Sequence, residues 1–297
     1  ARVPVSQRMR SGRIVGGNRE ARTRNDLRIA ALGSGSDFTP FLQHAGSPTL
    51  NLGFGGEDGG GIYHSIYDSF TWYTHYSDTA FVYGRALAQV VGLTIMRAAG
   101  ADLLPHEFGN LAETTRGYVS ELKGLRDSLA RKIEETNRQI ADGDFAVVDD
   151  PRRPLMAPRA ETPVPFINFA PLDNASDALE KAATRFEKGY GALAATGGNA
   201  ATLTQVNALL RQSDQVLLLP DGLPKRPWYR HSLYAPGYYT GYGVKTMPGG
   251  REAMEQRDWK LAEAELLKIA AALMREADLV VRAAEMLERG ANVRPVP

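Results

Sequence analysis

Not one of the 297 residues is cysteine. That excludes a disulfide framework, a thiol nucleophile and any zinc site built on thiolates, so a metal would have to be held by His, Asp or Glu. Histidine is also scarce. His44, His64, His75, His106 and His231 are scattered along the chain, and no HExxH pairing occurs. No GxSxG elbow is present, which sets a serine hydrolase of that type aside. GxGxxG spacing and a P-loop lysine are missing too. No stretch approaches the ~18 consecutive apolar residues of a membrane span, and no secretory signal peptide is visible. The first residue is Ala1 rather than Met, which points to a processed product or a piece of something longer. Net charge is only +1, so the chain as a whole is not a polyanion binder.

That charge is uneven. Residues 1–28 hold eight arginines against Glu20 and Asp26. A nucleic-acid arm is one reading, but no aromatic residue is interleaved for base stacking. The run reads as a solvated, poorly ordered start, and no nucleic-acid partner is expected. With 43% hydrophobic residues, the chain can build one large domain or two ordinary ones.

The first part reads as α/β. Leu27 to Leu32 is a short apolar run ended by Gly33, and Thr49 to Phe54 is a second one; both are expected as strands. Phe38 to Ala45 is expected as a short helix stopped by Gly46, with Pro40 tolerated in its first turn. Ser77 or Asp78 should cap a long helix ending at Ala99. From about residue 111 the pattern becomes helical. Leu111, Tyr118, Leu122, Leu125, Leu129, Ile133 and Ile140 share one face, and Gly143 ends that helix. The proline-rich stretch 149–171 reads as an extended crossing. Further helices are expected over 173–195, over 200–218 with Gly197-Gly198-Asn199 as stop and cap, and over 251–289. In the last, Trp259, Leu266, Leu267, Ile269, Leu273, Leu279, Val280 and Leu287 should point inward. The expected architecture is an α/β segment over 1–110, followed over 111–297 by an all-α part resembling a four-helix bundle with one long connection.

Several stretches could carry chemistry. Gly33-Ser34-Gly35-Ser36-Asp37 lies between a strand-like run and a helix, where open α/β sheets bind ligands; it is equally an ordinary turn. His64 follows Gly59-Gly60-Gly61 and stands beside Tyr63, as either a metal ligand or a packed histidine. Glu134-Glu135 reads as a solvated helix face. The loops 219–231 and 234–243, rich in Pro, Gly and Tyr, read either as binding surfaces or as proline-braced covers.

Taken together, LGSGSDFTPFLQHAG (32–46), IYHSIYDSF (62–70), LPDGLPKRPWYRHSLYAP (219–236) and GYYTGYGVKTMPG (237–249) resemble the zinc peptidase family of glutamate carboxypeptidase II and the transferrin receptor. The likeness runs from about Leu27 to Glu288, in the order of that family's C-terminal portion. It implies the end of a peptidase domain followed by a helical domain through which members form homodimers. It also implies two zinc ions bridged by a carboxylate and a hydroxide, with His64 as the last ligand in chain order. Tyr63 would hydrogen-bond the oxyanion of the tetrahedral intermediate. Gly35 and Ser36 would line the cleft for a peptide substrate, with Tyr242 at its C-terminal residue. Asn51 and Gly53 stand where glutamate-selective members carry an arginine patch, Ser36 where they carry Asn, and Gly241 where they carry Lys; Lys245 is offset by four residues. A preference for an acidic C-terminal residue is therefore not implied. The other zinc ligands and the general-base glutamate have no counterpart here. The resemblance thus implies part of an exopeptidase, inactive as this chain alone, and an extracytoplasmic setting. The alternative is a non-catalytic, receptor-like dimerisation scaffold. The Tyr63-His64 pair favours the peptidase, since a scaffold has no physical need of it.

Overall fold

The computed structural model describes residues 29–54, 62–149, 152, 156–196 and 199–292. The arginine-rich start, Leu27-Arg28, the glycine loop 55–61 and the Gly197-Gly198 stop lie outside the described residues. Residues 29–32 belong to one unit of the chain, and residues from Gly33 onward to another.

In the second unit the periodic segments become helices. Helix α1 (Phe38–Pro40) runs into a π-helical turn, Phe41–Ala45, which stops at Gly46. A short helix α2 (Phe70–Tyr76), not expected from the pattern, is capped by the Ser69 hydroxyl, which accepts from the Trp72 N–H at 3.3 Å. Helix α3 (Val82–Ala99) starts where Asp78 accepts from the backbone N–H groups of Val82 and Gly84, both at 2.7 Å. Helix α4 (Phe108–Asp142) ends at Gly143, and a single turn α5 (Asp144–Val147) follows. Then come α6 (Ala170–Thr196), α7 (Ala200–Leu210) and the turn α8 (Ser213–Val216). Strands β1 (Tyr234–Pro236) and β2 (Val244–Thr246) pair antiparallel, with Ala235 opposite Lys245. Helices α9 (Pro248–Glu255) and α10 (Trp259–Asn292) complete the described fold.

The main core lies where α10 packs on α6, with α4, α7 and α9 around them. On α10, Ala262, Leu266, Ile269, Leu273, Ala277, Val280, Ala284 and Leu287 are buried at spacings of three and four. Each fully buried Leu or Ile contributes roughly 1.5–3 kcal/mol of apolar transfer. Phe108 of α4 meets Phe186 of α6 edge-on, ring centroids 5.0 Å apart. Outside this core, Arg185 of α6 forks onto Glu288 of α10 at 2.8 Å. The crossing before α6 is held at Glu161, whose side chain pairs with Arg257 and whose backbone is clamped by Asn137. Asn137 donates to the Glu161 carbonyl at 2.7 Å and accepts from the Glu161 N–H at 2.9 Å.

Four expectations are corrected. Residues 29–32 and 49–54 carry no strand. A strand exists only where a neighbour takes its backbone hydrogen bonds, and Leu50, Leu52 and Phe54 stay exposed. The helix expected over 200–218 breaks between α7 and α8, where Ser213 and Asp214 turn their side chains onto Glu276 and His231. The helix expected over 251–289 is two helices. Arg257 N–H bonds the Met254 carbonyl and Asp258 N–H the Ala253 carbonyl, both at 2.9 Å, with Arg257 in the left-handed conformation that ends helices. Asp258 then caps α10 by accepting from the Leu261 N–H. Leu267 is exposed, because a helix turns ~100° per residue and Leu266 already holds the inward position.

Candidate functional site

Two clusters gather the residues singled out from the sequence. The first is built on the turn before α1. Gly35 has φ +99°, a conformation that side chains rarely adopt, and a Cβ there would stand 2.5 Å from the Tyr242 ring. The glycine is thus required by both backbone and space, and it seats Tyr242 against the turn. Gln43 is fully buried behind it. Its Nε2 donates to the Gly33 carbonyl at 2.9 Å, and its main-chain carbonyl accepts from the Arg230 backbone N–H at 2.8 Å. His44 stacks on Trp228, centroids 5.1 Å apart, and its Nδ1 lies 2.8 Å from the Trp228 carbonyl. Loops widely separated in sequence therefore meet at one place. Ser36 accepts at its carbonyl from the N–H and hydroxyl of Thr39 and leaves its side chain exposed. Tyr242 is 63% exposed. Asn51 and Gly53 are exposed and lie outside regular structure.

The second cluster is the Tyr63-His64 pair. The rings stack with centroids 3.9 Å apart. His64 has φ +61°, uncommon for a residue with a side chain. The turn is held by Ser65 N–H to the Ile62 carbonyl at 2.9 Å and by the Asp68 carboxylate, which accepts from His64 N–H at 3.2 Å. Tyr63 is 69% exposed. Among the described residues no hydrogen bond or ring contact joins this pair to the Gly35–Tyr242 cluster. Nor do the described residues gather three or more His, Asp or Glu in a way that could hold a metal ion. The set as described does not fit a complete zinc centre.

Around the first cluster the loops combine packing and exposure. Leu219, Leu223 and Ala235 form a small core of their own with Tyr229. Arg226 pairs with Glu252 at 2.7 Å, donates to the Pro236 carbonyl and lies over the Tyr229 and Tyr238 rings. Tyr239 remains exposed. Next to β2 an open cleft of about 460 Å³ is lined by Glu121, Thr240, Gly243, Val244, Lys245, Thr246 and Arg251. Both cations there are occupied, Lys245 by Glu255 at 2.7 Å and Arg251 by Glu121 at 2.6 Å. His231 is fully buried. Its Nδ1 accepts from Leu233 N–H, which leaves Nε2 to donate to Asp214 at 3.2 Å. It is a structural histidine. Gln43 and Asp68 were missed in the sequence, where nothing distinguishes a buried amide or a carboxylate that binds backbone from ordinary surface polarity.

Residues 167–281 match the transferrin receptor-like dimerisation domain family. A probable glutamate carboxypeptidase of Arabidopsis thaliana, LAMP1, is 28% identical over 84% of this chain and 31% of its own length. A probable glutamate carboxypeptidase of Arthroderma benhamiae is 30% identical over 76% of the chain and 27% of its own length. The chain belongs to the transferrin receptor-like peptidase family. It corresponds to a C-terminal portion of such a member and spans under a third of the length of these relatives. The rat aminopeptidase NAALADL1 is similar as well, at 21% identity over 74% of the chain. In this transferrin receptor-like member the dimerisation-domain match covers α6, α7, α8, α9 and most of α10, which build the main core together with α4. No described helix is long and apolar enough to cross a membrane.

Proposed function

We propose that this chain is the C-terminal part of a zinc-dependent exopeptidase that works as a homodimer through its helical domain. The carrying observation is the conjunction of the dimerisation-domain match with an exposed Tyr63-His64 pair held in a strained turn. In this reading His64 supplies one zinc ligand, and the other ligands and the general base come from residues beyond this chain. Tyr63 donates a hydrogen bond to the oxyanion of the scissile peptide. Gly35, Ser36, Asn51 and Tyr242 line the peptide cleft, with the Gly35–Tyr242 packing fixing the ring that meets the C-terminal residue. The occupied state of Lys245 and Arg251 supports a substrate whose C-terminal side chain need not be acidic. Residues 1–110 would end the peptidase domain, and residues 111–297 would form the dimerisation part. The exposed apolar residues of α3, among them Leu93, Ile95 and Met96, suit a surface that further peptidase sequence covers. Chain alone, the protein would hydrolyse no peptide.

The test is zinc content by elemental analysis together with molar mass in solution, for this chain and His64→Ala. A dimeric mass without stoichiometric zinc is the expected result. A monomer at tens of micromolar would overturn the dimer. About two zinc ions per chain, lost in His64→Ala, would overturn the need for further ligands and make this chain a metalloenzyme in its own right.

A further inference from the structure

Glu276 lies in the middle of α10 and is fully buried. Its Oε1 accepts a 2.6 Å hydrogen bond from the Ser213 hydroxyl at the start of α8. Its Oε2 is buried without a hydrogen-bond partner. A carboxylate in that position would leave negative charge unsolvated, whereas a carboxylic acid places a proton there.

The groups around it reinforce this. From α8, Asp214 adds a second negative charge, which His231 of the following loop engages through Nε2. From the segment before α4, His106 is held largely neutral by its own burial, and only the field of Asp214 opposes that. On α10 the neighbouring cation, Arg275, reaches instead to the carbonyls of Val216 and Leu218 at 2.9 and 3.1 Å. Arg185 of α6 is spent further along on Glu285 and Glu288. On α9, Arg251 and Glu252 are engaged with Glu121 and Arg226. Burial first, and Asp214 second, push the Glu276 carboxyl up to about 8, against the lowering effect of the Ser213 bond.

We propose that buried Glu276 is a proton-dependent latch between α8 and α10. The Ser213 hydroxyl can bond either form, but a carboxylate, with Oε2 unpartnered, gains solvent only if α8 lifts from α10. The latch holds α8, and the loop that α8 begins, on α10 while the Glu276 carboxyl keeps its proton, and it loosens when that proton leaves. The loop concerned bears Trp228 and Arg230, which grip His44 and Gln43. Loss of the proton therefore slackens the seat of the Gly33–Gly46 segment as well. The inference stands on contacts inside the helical part and is independent of the peptidase reading.

The sign follows from linkage. The folded state holds a proton that the unfolded chain gives up at its ordinary value of 4.5. The stabilisation is complete below that value, declines as pH rises, and is gone above about 8. The test is urea unfolding of the whole chain between pH 5 and pH 9 for the wild type and Glu276→Gln. The expected result is a wild-type folding constant that falls, relative to the variant, by up to about tenfold per pH unit in this window and then levels off. Hydrogen exchange corrected for intrinsic rates should show residues 213–234 opening more readily at pH 9 in the wild type only. In case Glu276→Gln folds poorly, carbon-13 titration of the wild-type Glu276 carboxyl gives an independent reading. A midpoint near 4.5, or parallel pH profiles for the two proteins, would overturn the latch.

Discussion

Helices α10 and α3 meet opposite fates. Helix α10 carries many charged residues, yet most of its Leu, Ile, Val and Ala side chains are buried. Helix α3 has only Arg85 and Arg97 for charge and is apolar almost all round, yet none of its residues is buried. Hydrophobicity states what a segment would gain by burial, and a partner decides whether it gains it. In α10 the partner is α6, within the same unit. In α3 the apolar side chains are a surface still available for covering.

The largest expected effect tests that contrast directly. Leu273→Ala, in the middle of α10, should cost about 2–5 kcal/mol in urea unfolding, because it leaves a cavity in a packed core. Leu93→Ala, on α3 and 46% exposed, should cost well under ~1 kcal/mol. Equal costs would break the comparison. Arg226→Ala should come next, on the order of 3 kcal/mol, because it strands the mostly buried Glu252. Gly35→Ala should cost on the order of 1–3 kcal/mol, since a Cβ meets both a disfavoured φ and the Tyr242 ring. Rapid hydrogen exchange over residues 33–46 in a still-folded variant would show that the cost is paid by local opening. Lys123→Ala removes a half-exposed pair with Asp173 across α4 and α6, and no more than ~1 kcal/mol should be lost.

Asp78→Ala should change global stability least of all. Its effect should be confined to fraying at the start of α3, read as lost amide protection at Val82 and Gly84. Burial pushes the Asp78 carboxyl up. The backbone N–H groups of Gly84, Tyr83 and Val82 and the Tyr73 hydroxyl together outweigh it and hold the group below its ordinary value. The cap is therefore intact above the usual carboxylate range and should be lost only as acid protonates this residue.

The parts legible in the sequence were those set by local periodicity. Leu266, Ile269 and Leu273 mark the buried face of α10 through their spacing alone, and Asn199 and Gly143 mark helix ends through their own chemistry. The strands expected near Leu32 and Leu50 were not formed, since an apolar run does not reveal whether another run will pair with it. The site divided in the same way. Tyr63 and His64 are adjacent in the chain, so their pairing could be anticipated. Gln43 against Gly33 and Arg230, or Glu276 against Ser213, depends on which distant segments meet. Burial turns these ordinary polar residues into determinants, and burial is not written at any single position.

The Asn137 clamp on the crossing has a different consequence. Its two hydrogen bonds go to the N–H and C=O of Glu161, and every amino acid but proline presents the same two groups. Asn137 thus recognises the path of the strap, while what is particular to Glu161 is left to its pair with Arg257. A different residue at 161 would lose that pair and keep the clamp, whereas a change at Asn137 would lose the clamp whatever the strap carries.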